Sequence, residues 1–292
     1  MTGAFGDPAW EAFLRDEARV SLVNVGEHRL RVVEVGAGEP VLLIHGWADS
    51  AYAWRHNLRP LAQAGFRALA FDLPGCGESA LPAAARFGVD DLAGLAVALL
   101  DALDIERAHM IGSSMGGGIV LQLAVHYAGR LRRAVAVAPT CYHPPFRPFV
   151  PFALRCLPIA VLMQRLAGPW MVRPFLRKLF RDRALLTPAV VAEYRRAFAR
   201  PAYVPTCVAM ARDFWNDAFF LTAGQYHRCT APLHLIWGAH DAVIRPATYA
   251  LRLAAESGAD LTIIAAAGHE VQQEQPGAFN RTVVRFLTHG NG

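Results

Sequence analysis

Five residues run together as Gly112-Ser113-Ser114-Met115-Gly116, after an apolar run and ahead of a helical pattern. This fits G-x-S-x-G, a strained strand-to-helix turn that exposes a nucleophilic hydroxyl. The chemistry needs small residues on both sides, because bulk there would block the turn. Ser114 would also sit at a helix N-terminus, where free backbone N–H groups favour developing negative charge. A Gly-rich turn can instead cradle phosphate. Here, however, no G-x-G-x-x-G can be written and no Walker lysine follows.

A serine hydroxyl needs a proton acceptor, and an imidazole in that role needs a carboxylate to hold its tautomer. Of the 11 histidines, His269 in Ala267-Gly268-His269-Glu270 follows the last expected strand and precedes a helix opened by Pro276. Asp241 lies just past the apolar run Leu233–Gly238, 28 residues before His269. The order Ser114, Asp241, His269 is the chain order of this motif class. His45-Gly46-Trp47 ends another apolar strand, so the Trp47 and Met115 N–H groups are expected to form an oxyanion hole. Asp72-Leu73-Pro74-Gly75-Cys76-Gly77-Glu78-Ser79 reads as a tight loop that braces the site. His269-Glu270-Val271-Gln272-Gln273 begins like H-E-x-x-H but lacks the second histidine, so no catalytic metal and no cofactor is predicted.

These residues require a frame that brings several strand ends together. Leu30–Val35, Val41–His45, Arg67–Leu73, Ala108–Gly112, Ala134–Ala138, Leu233–Trp237 and Leu261–Ala265 read as strands, several of them apolar nearly throughout. Such strands belong in a parallel sheet covered on both faces. Helical patterns alternate with them at Ala51–Ala64, Val89–Leu103, Met115–Tyr127, Pro246–Ser257 and Pro276–Leu287. That alternation is the grammar of an α/β fold. It stops after Pro139 and resumes near Pro232.

The 292 residues, 54% hydrophobic and 18% charged, exclude a disordered chain or a disulfide-stapled miniprotein. The net charge of +5 is uneven. Residues 130–212 hold 15 of the 29 Lys and Arg but only two acids, Asp182 and Glu193, giving +13 against −8 elsewhere. No nucleic-acid module accompanies this charge, so nucleic acid is not an expected partner.

Taken together, HGW at His45, DLPGCGES from Asp72, GSSMGG from Gly112, WGAHD ending at Asp241 and AGHEVQQEQP around His269 resemble the α/β-hydrolase fold family. The resemblance implies a mostly parallel eight-stranded sheet flanked by helices, with a helical cap inserted after the sixth strand. The core would be residues 1–139 and 230–292, and the cap 140–229. It also implies Ser114 as nucleophile, His269 as general base, Asp241 as its orienting acid, and Trp47 with Met115 as oxyanion donors. Relatives that open epoxides or remove halide carry Asp at the elbow, so Ser114 argues against both chemistries. Carbon–carbon bond hydrolases share a GNSMGG-like elbow and usually place Trp after the histidine, where this chain has Ser113 and Glu270.

The expected function is hydrolysis of a carboxylic ester of an apolar acyl group through an acyl-enzyme. Carbon–carbon bond hydrolysis and a non-catalytic ligand-binding homologue are the alternatives. For the basic block, from Pro145-Phe146-Arg147-Pro148-Phe149 through Arg173–Arg181 and including Trp170, three readings stand: a solvated lid, a lid resting on an anionic membrane, and recognition of an anionic substrate group. The five cysteines, Cys76, Cys141, Cys156, Cys207 and Cys229, have no C-x-x-C pair and read as free thiols. With no signal-peptide order at the N-terminus, and with the apolar stretch Val150–Met163 broken by Pro151, Arg155 and Pro158, a cytoplasmic protein is expected, with peripheral contact at the inner membrane face under the membrane reading.

Overall fold

The computed structural model describes residues 6–142, 172–215 and 225–289. The expectations placed on Pro145–Phe149, Val150–Met163, Cys156 and Trp170 lie outside them.

Eight strands form one sheet: β1 (Arg19–Val25), β2 (His28–Val35), β3 (Glu39–Ile44), β4 (Phe66–Phe71), β5 (Ala108–Ser113), β6 (Leu131–Val137), β7 (Leu233–Gly238) and β8 (Asp260–Ile264). Their order is β1-β2-β4-β3-β5-β6-β7-β8. β2 runs antiparallel to β1 and β4, and the pairings from β4 through β8 are parallel. Over the described residues the helices are α1 (Pro8–Asp16), α2 (Leu58–Gln63), α3 (Val89–Ala102), α4 (Met115–His126), α5 (Val172–Leu179), α6 (Pro188–Phe198), α7 (Tyr203–Trp215), α8 (Pro246–Ser257), α9 (Val271–Glu274) and α10 (Pro276–His289).

Strand alternation divides the core between the two faces of the sheet. Leu42, Ile44, Met110, Ala136 and Trp237 pack with Leu92 and Leu99 of α3 and Ile119 of α4. Val41, Leu43, Ile111, Val137 and Ile236 pack with Phe13 of α1, Leu61 of α2 and Phe279 and Val283 of α10. A buried side chain of this size contributes about 1.5–3 kcal/mol, so the two apolar layers hold the strand ends in register. Helix α4 is buried from Met115 to Ala124 on all sides, which explains its lack of a polar stripe.

Two expected elements differ. Ala51–Ala64 is a 3₁₀ turn at Ala51–Trp54 followed by α2, because buried Asn57 turns its amide onto the Gln272 carbonyl and Asn280. The edge strand β1 and helix α1 were not foreseen. Helices α5, α6 and α7 fall between β6 and β7, within the block read as a cap. Cys76, Cys141, Cys207 and Cys229 are free thiols. Among the described residues no helix is long and apolar enough to cross a membrane.

Candidate active site

Ser114 joins β5 to α4 with φ 55° and ψ −113°. A non-glycine residue held there costs on the order of 1–3 kcal/mol and needs surrounding structure to impose it. The Ser114 N–H donates to the Val137 carbonyl (2.8 Å), and its own carbonyl accepts from Thr140 N (3.0 Å) and Gly118 N (3.1 Å). A Cβ on Gly112 would strike the Gly116 carbonyl, and one on Gly116 would strike the Ile44 carbonyl. The turn therefore closes only with glycine at both places.

Above it runs the loop after β3. A Cβ on Gly46 would lie 3.3 Å from Ser114 Cβ, so this backbone passes directly over the serine. His45 ties that loop to the one after β4: its Nε2 accepts from Leu73 N (2.9 Å), and its Nδ1 lies 2.7 Å from the Gly46 carbonyl. These contacts place the ring proton on Nδ1, and burial lowers the pKa of the ring and keeps it neutral. Asp72 braces the same corner, accepting from Ala51 N (2.7 Å) and Glu78 N (2.8 Å) and facing Arg31 at 3.4 Å. Among the described residues neither the Trp47 N–H nor the Met115 N–H meets a protein acceptor. Both are free to serve an incoming oxyanion.

Asp241 and His269 are brought together at the same sheet edge. The backbone laces the strand ends across it, Ala138 N to Ile236 O (2.8 Å), Ala239 N to Ile264 O (3.0 Å) and His240 N to Ala267 O (3.0 Å). Asp241 Oδ2 lies 2.8 Å from His269 Nδ1, while Oδ1 accepts from Val243 N (2.7 Å) and Ile244 N (2.9 Å). Both side chains are buried. Burial alone would lower the His269 pKa, but the Asp241 carboxylate, joined by Glu270 and Glu274, outweighs it and the imidazole is raised above its ordinary value. The proton on Nδ1 faces Asp241, leaving Nε2 for chemistry. Among the described residues Ser114 Oγ makes no hydrogen bond to His269, a contact that in ligand-free enzymes is often long and tightens with substrate.

The His269 loop is fixed from below and above. Glu274 Oε1 accepts from Gly268 N (2.8 Å), and its Oε2 accepts from Arg181 N (2.7 Å) and Asp182 N (3.0 Å). His269 N donates to the Leu179 carbonyl (2.9 Å). The end of α5 is thus part of the same hydrogen-bonded unit as the histidine.

Sequence reasoning missed a buried polar cluster between the two loops. Asp49, two residues after Trp47, accepts from the Tyr194 hydroxyl of α6 (3.2 Å). Gln273 donates to Tyr194 (3.1 Å) and to Glu270 Oε2 (2.7 Å), and Arg55 donates to Gln273. Burial and the nearby Glu270 carboxylate push the Asp49 carboxyl well above its usual range. The available signal was positional: an acid stands within two residues of each motif at Trp47 and His269. Among the described residues no three His, Cys, Asp or Glu side chains are grouped to hold a metal ion.

A family model described as alpha/beta hydrolase fold matches residues 39–276. The chain belongs to this family. It is 30% identical over 270 residues to a 2-hydroxymuconate semialdehyde hydrolase of Pseudomonas sp. (strain CF600), covering 90% of this chain and 92% of that one. It is also 30% identical over 288 residues to a dihydrolipoyllysine-residue acetyltransferase component of an acetoin cleaving system of Cupriavidus necator, covering 97% of this chain and 73% of that one. Among solved structures, a meta-cleavage product hydrolase from Pseudomonas fluorescens IP01 superposes with a TM-score of 0.78 at 28% identity, covering 94% of this chain and 99% of that chain. The chain is therefore an enzyme of the hydrolase class.

Proposed function

We propose that the chain is a serine hydrolase that cleaves a carbon–carbon bond beside a carbonyl group, in an unsaturated keto acid of the kind named for its relatives. The similarity to the semialdehyde hydrolase, sustained over nine-tenths of both chains, carries this reading. Ser114 Oγ attacks the carbonyl carbon as His269 Nε2 takes its proton. Asp241, already 2.8 Å from Nδ1, stabilises the imidazolium. The Trp47 and Met115 N–H groups bind the oxyanion. Before the bond breaks, the substrate's enol proton moves to the carbon beside the attacked carbonyl, so that this carbon leaves with its electron pair delocalised into the conjugated ketone as a dienolate, which then takes a proton on oxygen. Water then releases the acyl group as a carboxylic acid, so one water is consumed per bond broken. Helices α5, α6 and α7, which fall between β6 and β7, belong to a cap over this site in our reading.

Ester hydrolysis by the same groups is the second reading. Ser113 before the nucleophile and Glu270 after the histidine favour it, since the carbon–carbon hydrolases of the resemblance usually carry Asn and Trp there. The two are separated by comparing kcat/KM on 2-hydroxy-6-oxo-6-phenylhexa-2,4-dienoate with that on p-nitrophenyl esters of graded acyl length, with a fluorophosphonate probe as a check on the serine. Faster turnover of the dienoate is expected. Turnover of esters alone would move the assignment to the second reading, and absence of probe labelling would overturn both.

A further inference from the structure

Five cations stand in eleven residues along α5 and the turn after it: Arg173, Arg177, Lys178, Arg181 and Arg183. All five are exposed. Among the described residues none has a carboxylate within ion-pair distance, whereas Arg31, Arg59, Arg67, Arg130 and Arg196 each have one. The single acid in the run, Asp182, turns its Oδ1 onto Ala184 N (2.9 Å) as the cap of a 3₁₀ turn. An unpaired basic run of this density keeps its field.

Its position gives that field a use. Val172 and Leu176 are buried, which anchors α5 and turns the basic residues outward. Phe175 meets Trp47 edge-on with ring centroids 6.0 Å apart. The Leu179 carbonyl accepts from His269 N (2.9 Å), and the Arg181 N–H donates to Glu274, the residue that also holds Gly268. One short segment therefore touches both the loop with the oxyanion donor and the loop with the general base.

We propose that the exposed basic run Arg173–Arg183 is an electrostatic rim of the active site that selects substrates carrying a carboxylate or another anionic group. This deepens the reading of Ser114, His269 and Asp241 as a hydrolytic site, and rests on it. A lipid surface fits the run less well, because Phe175, at 36% exposure, is its only exposed large apolar side chain, and interfacial helices insert several. The rim acts on encounter, so its effect appears in kcat/KM and is screened by salt.

The test uses two p-nitrophenyl esters of equal length, one ending in a free carboxylate and one in its methyl ester, with a matched pair of anionic and neutral fluorophosphonates. For the native protein, kcat/KM for the anionic ester should fall about tenfold between 10 and 500 mM salt, while the neutral ester changes little. Arg177→Glu with Lys178→Glu should lower the anionic-to-neutral ratio about tenfold, and the milder pair Arg177→Gln with Lys178→Gln should lower it less. Arg19→Glu with Arg29→Glu, a like charge change on the β1–β2 hairpin, should leave the ratio as it is. An unchanged ratio in the α5 variants, or an equal drop in the hairpin variant, overturns the rim. So does tight co-sedimentation with anionic phosphatidylglycerol vesicles without discrimination between the esters. Should the native protein react with no ester and neither fluorophosphonate, the hydrolytic reading itself falls and takes the rim with it.

Discussion

At the C-terminal ends of β3, β5 and β6 the chain turns through Ala48, Ser114 and Ala138, with φ of 59°, 55° and 39°. At the N-terminal ends of the same strands Glu39, His109, Arg132 and Arg133 line an open cavity of about 570 Å³. One edge stores backbone strain and buries its carboxylates. The other has a single such non-glycine residue, Asp104 (φ 55°) ahead of β5, takes other left-handed turns at Gly38 and Gly65, and leaves its charges wet. Positive φ in three non-glycine residues at one edge is expensive, and it persists because the laced backbone and the close glycine contacts leave no alternative. The difference teaches that polar residues alone do not mark a reactive site. Enforced geometry around them does.

The contrast is broken most severely by removing the hydroxyl that the strained edge presents. Ser114→Ala should reduce turnover roughly 10⁴–10⁶-fold while leaving the circular dichroism spectrum and melting temperature close to native. A variant retaining a tenth of the activity would show that the strain serves some purpose other than nucleophile display.

Titration of the same edge comes next. The His269 imidazole must be neutral to accept a proton, and its pKa is raised by Asp241, so kcat/KM should rise with pH through a value above 6.5. Below that value the rate falls about tenfold per pH unit. The stability sign is the reverse: the charged imidazolium facing Asp241 stabilises the fold below the unfolded histidine value, and that contribution is lost as pH rises through the folded one. Rate against pH, set beside melting temperature against pH, should therefore slope in opposite directions. A flat rate between pH 5 and 8 would remove His269 from the base role.

Packing supplies a smaller effect. A methyl group at position 116 would meet the Ile44 carbonyl, which belongs to a central strand and cannot move aside cheaply. Gly116→Ala should cost about 1–3 kcal/mol in urea unfolding, and should slow fluorophosphonate labelling as the elbow is displaced. A variant equal to native in both would mean that the turn has slack.

How much of this edge was legible in advance depended on how local each cause is. Parallel strands were readable as apolar runs because both faces are covered, as at Leu42–Ile44 and Leu235–Trp237. The elbow was readable because its motif is five consecutive residues and Gly112 answers to Gly116 four positions on, although the demand on Gly116 comes from Ile44 of β3. β1 was not, since as an edge strand it exposes Val20 at 43% and Leu22 at 48% and carries Arg19, Ser21 and Asn24 among them. Helix α1 had its signal in Asp7 before Pro8, with Trp10 and Phe13 on one face, but a run of nine residues with three charges reads as a tail. The Asp49, Tyr194 and Gln273 cluster joins residues up to 145 and 79 positions apart, a pairing that no local pattern announces. The rim on α5 was visible as charge, yet its contact with the His269 loop required the fold.

The smallest effect belongs to the opposite edge, and it is the control for all the others. Glu39 accepts from His109 Nε2 (3.0 Å) and faces Arg132 at 3.2 Å, with Glu39 and Arg132 side chains 53% and 44% exposed. The bond from His109 and the charge of Arg132, acting against slight burial, hold the Glu39 carboxyl below its usual range. Burial in turn lowers His109, so the ring is neutral and donates its Nε2 proton. An exposed pair of this kind is worth about 0–1 kcal/mol. Glu39→Gln should therefore cost at most about 1 kcal/mol near neutral pH, a difference that shrinks as pH falls below the ordinary glutamate range, where the native carboxylate also loses its charge. Turnover should stay within error of native, because strand β3 runs its whole length between this residue and the His45–Trp47 loop. A clear fall in kcat on Glu39→Gln would show that the two ends of the sheet are mechanically coupled, and the division between a strained working edge and a charged passive one would then have to be given up.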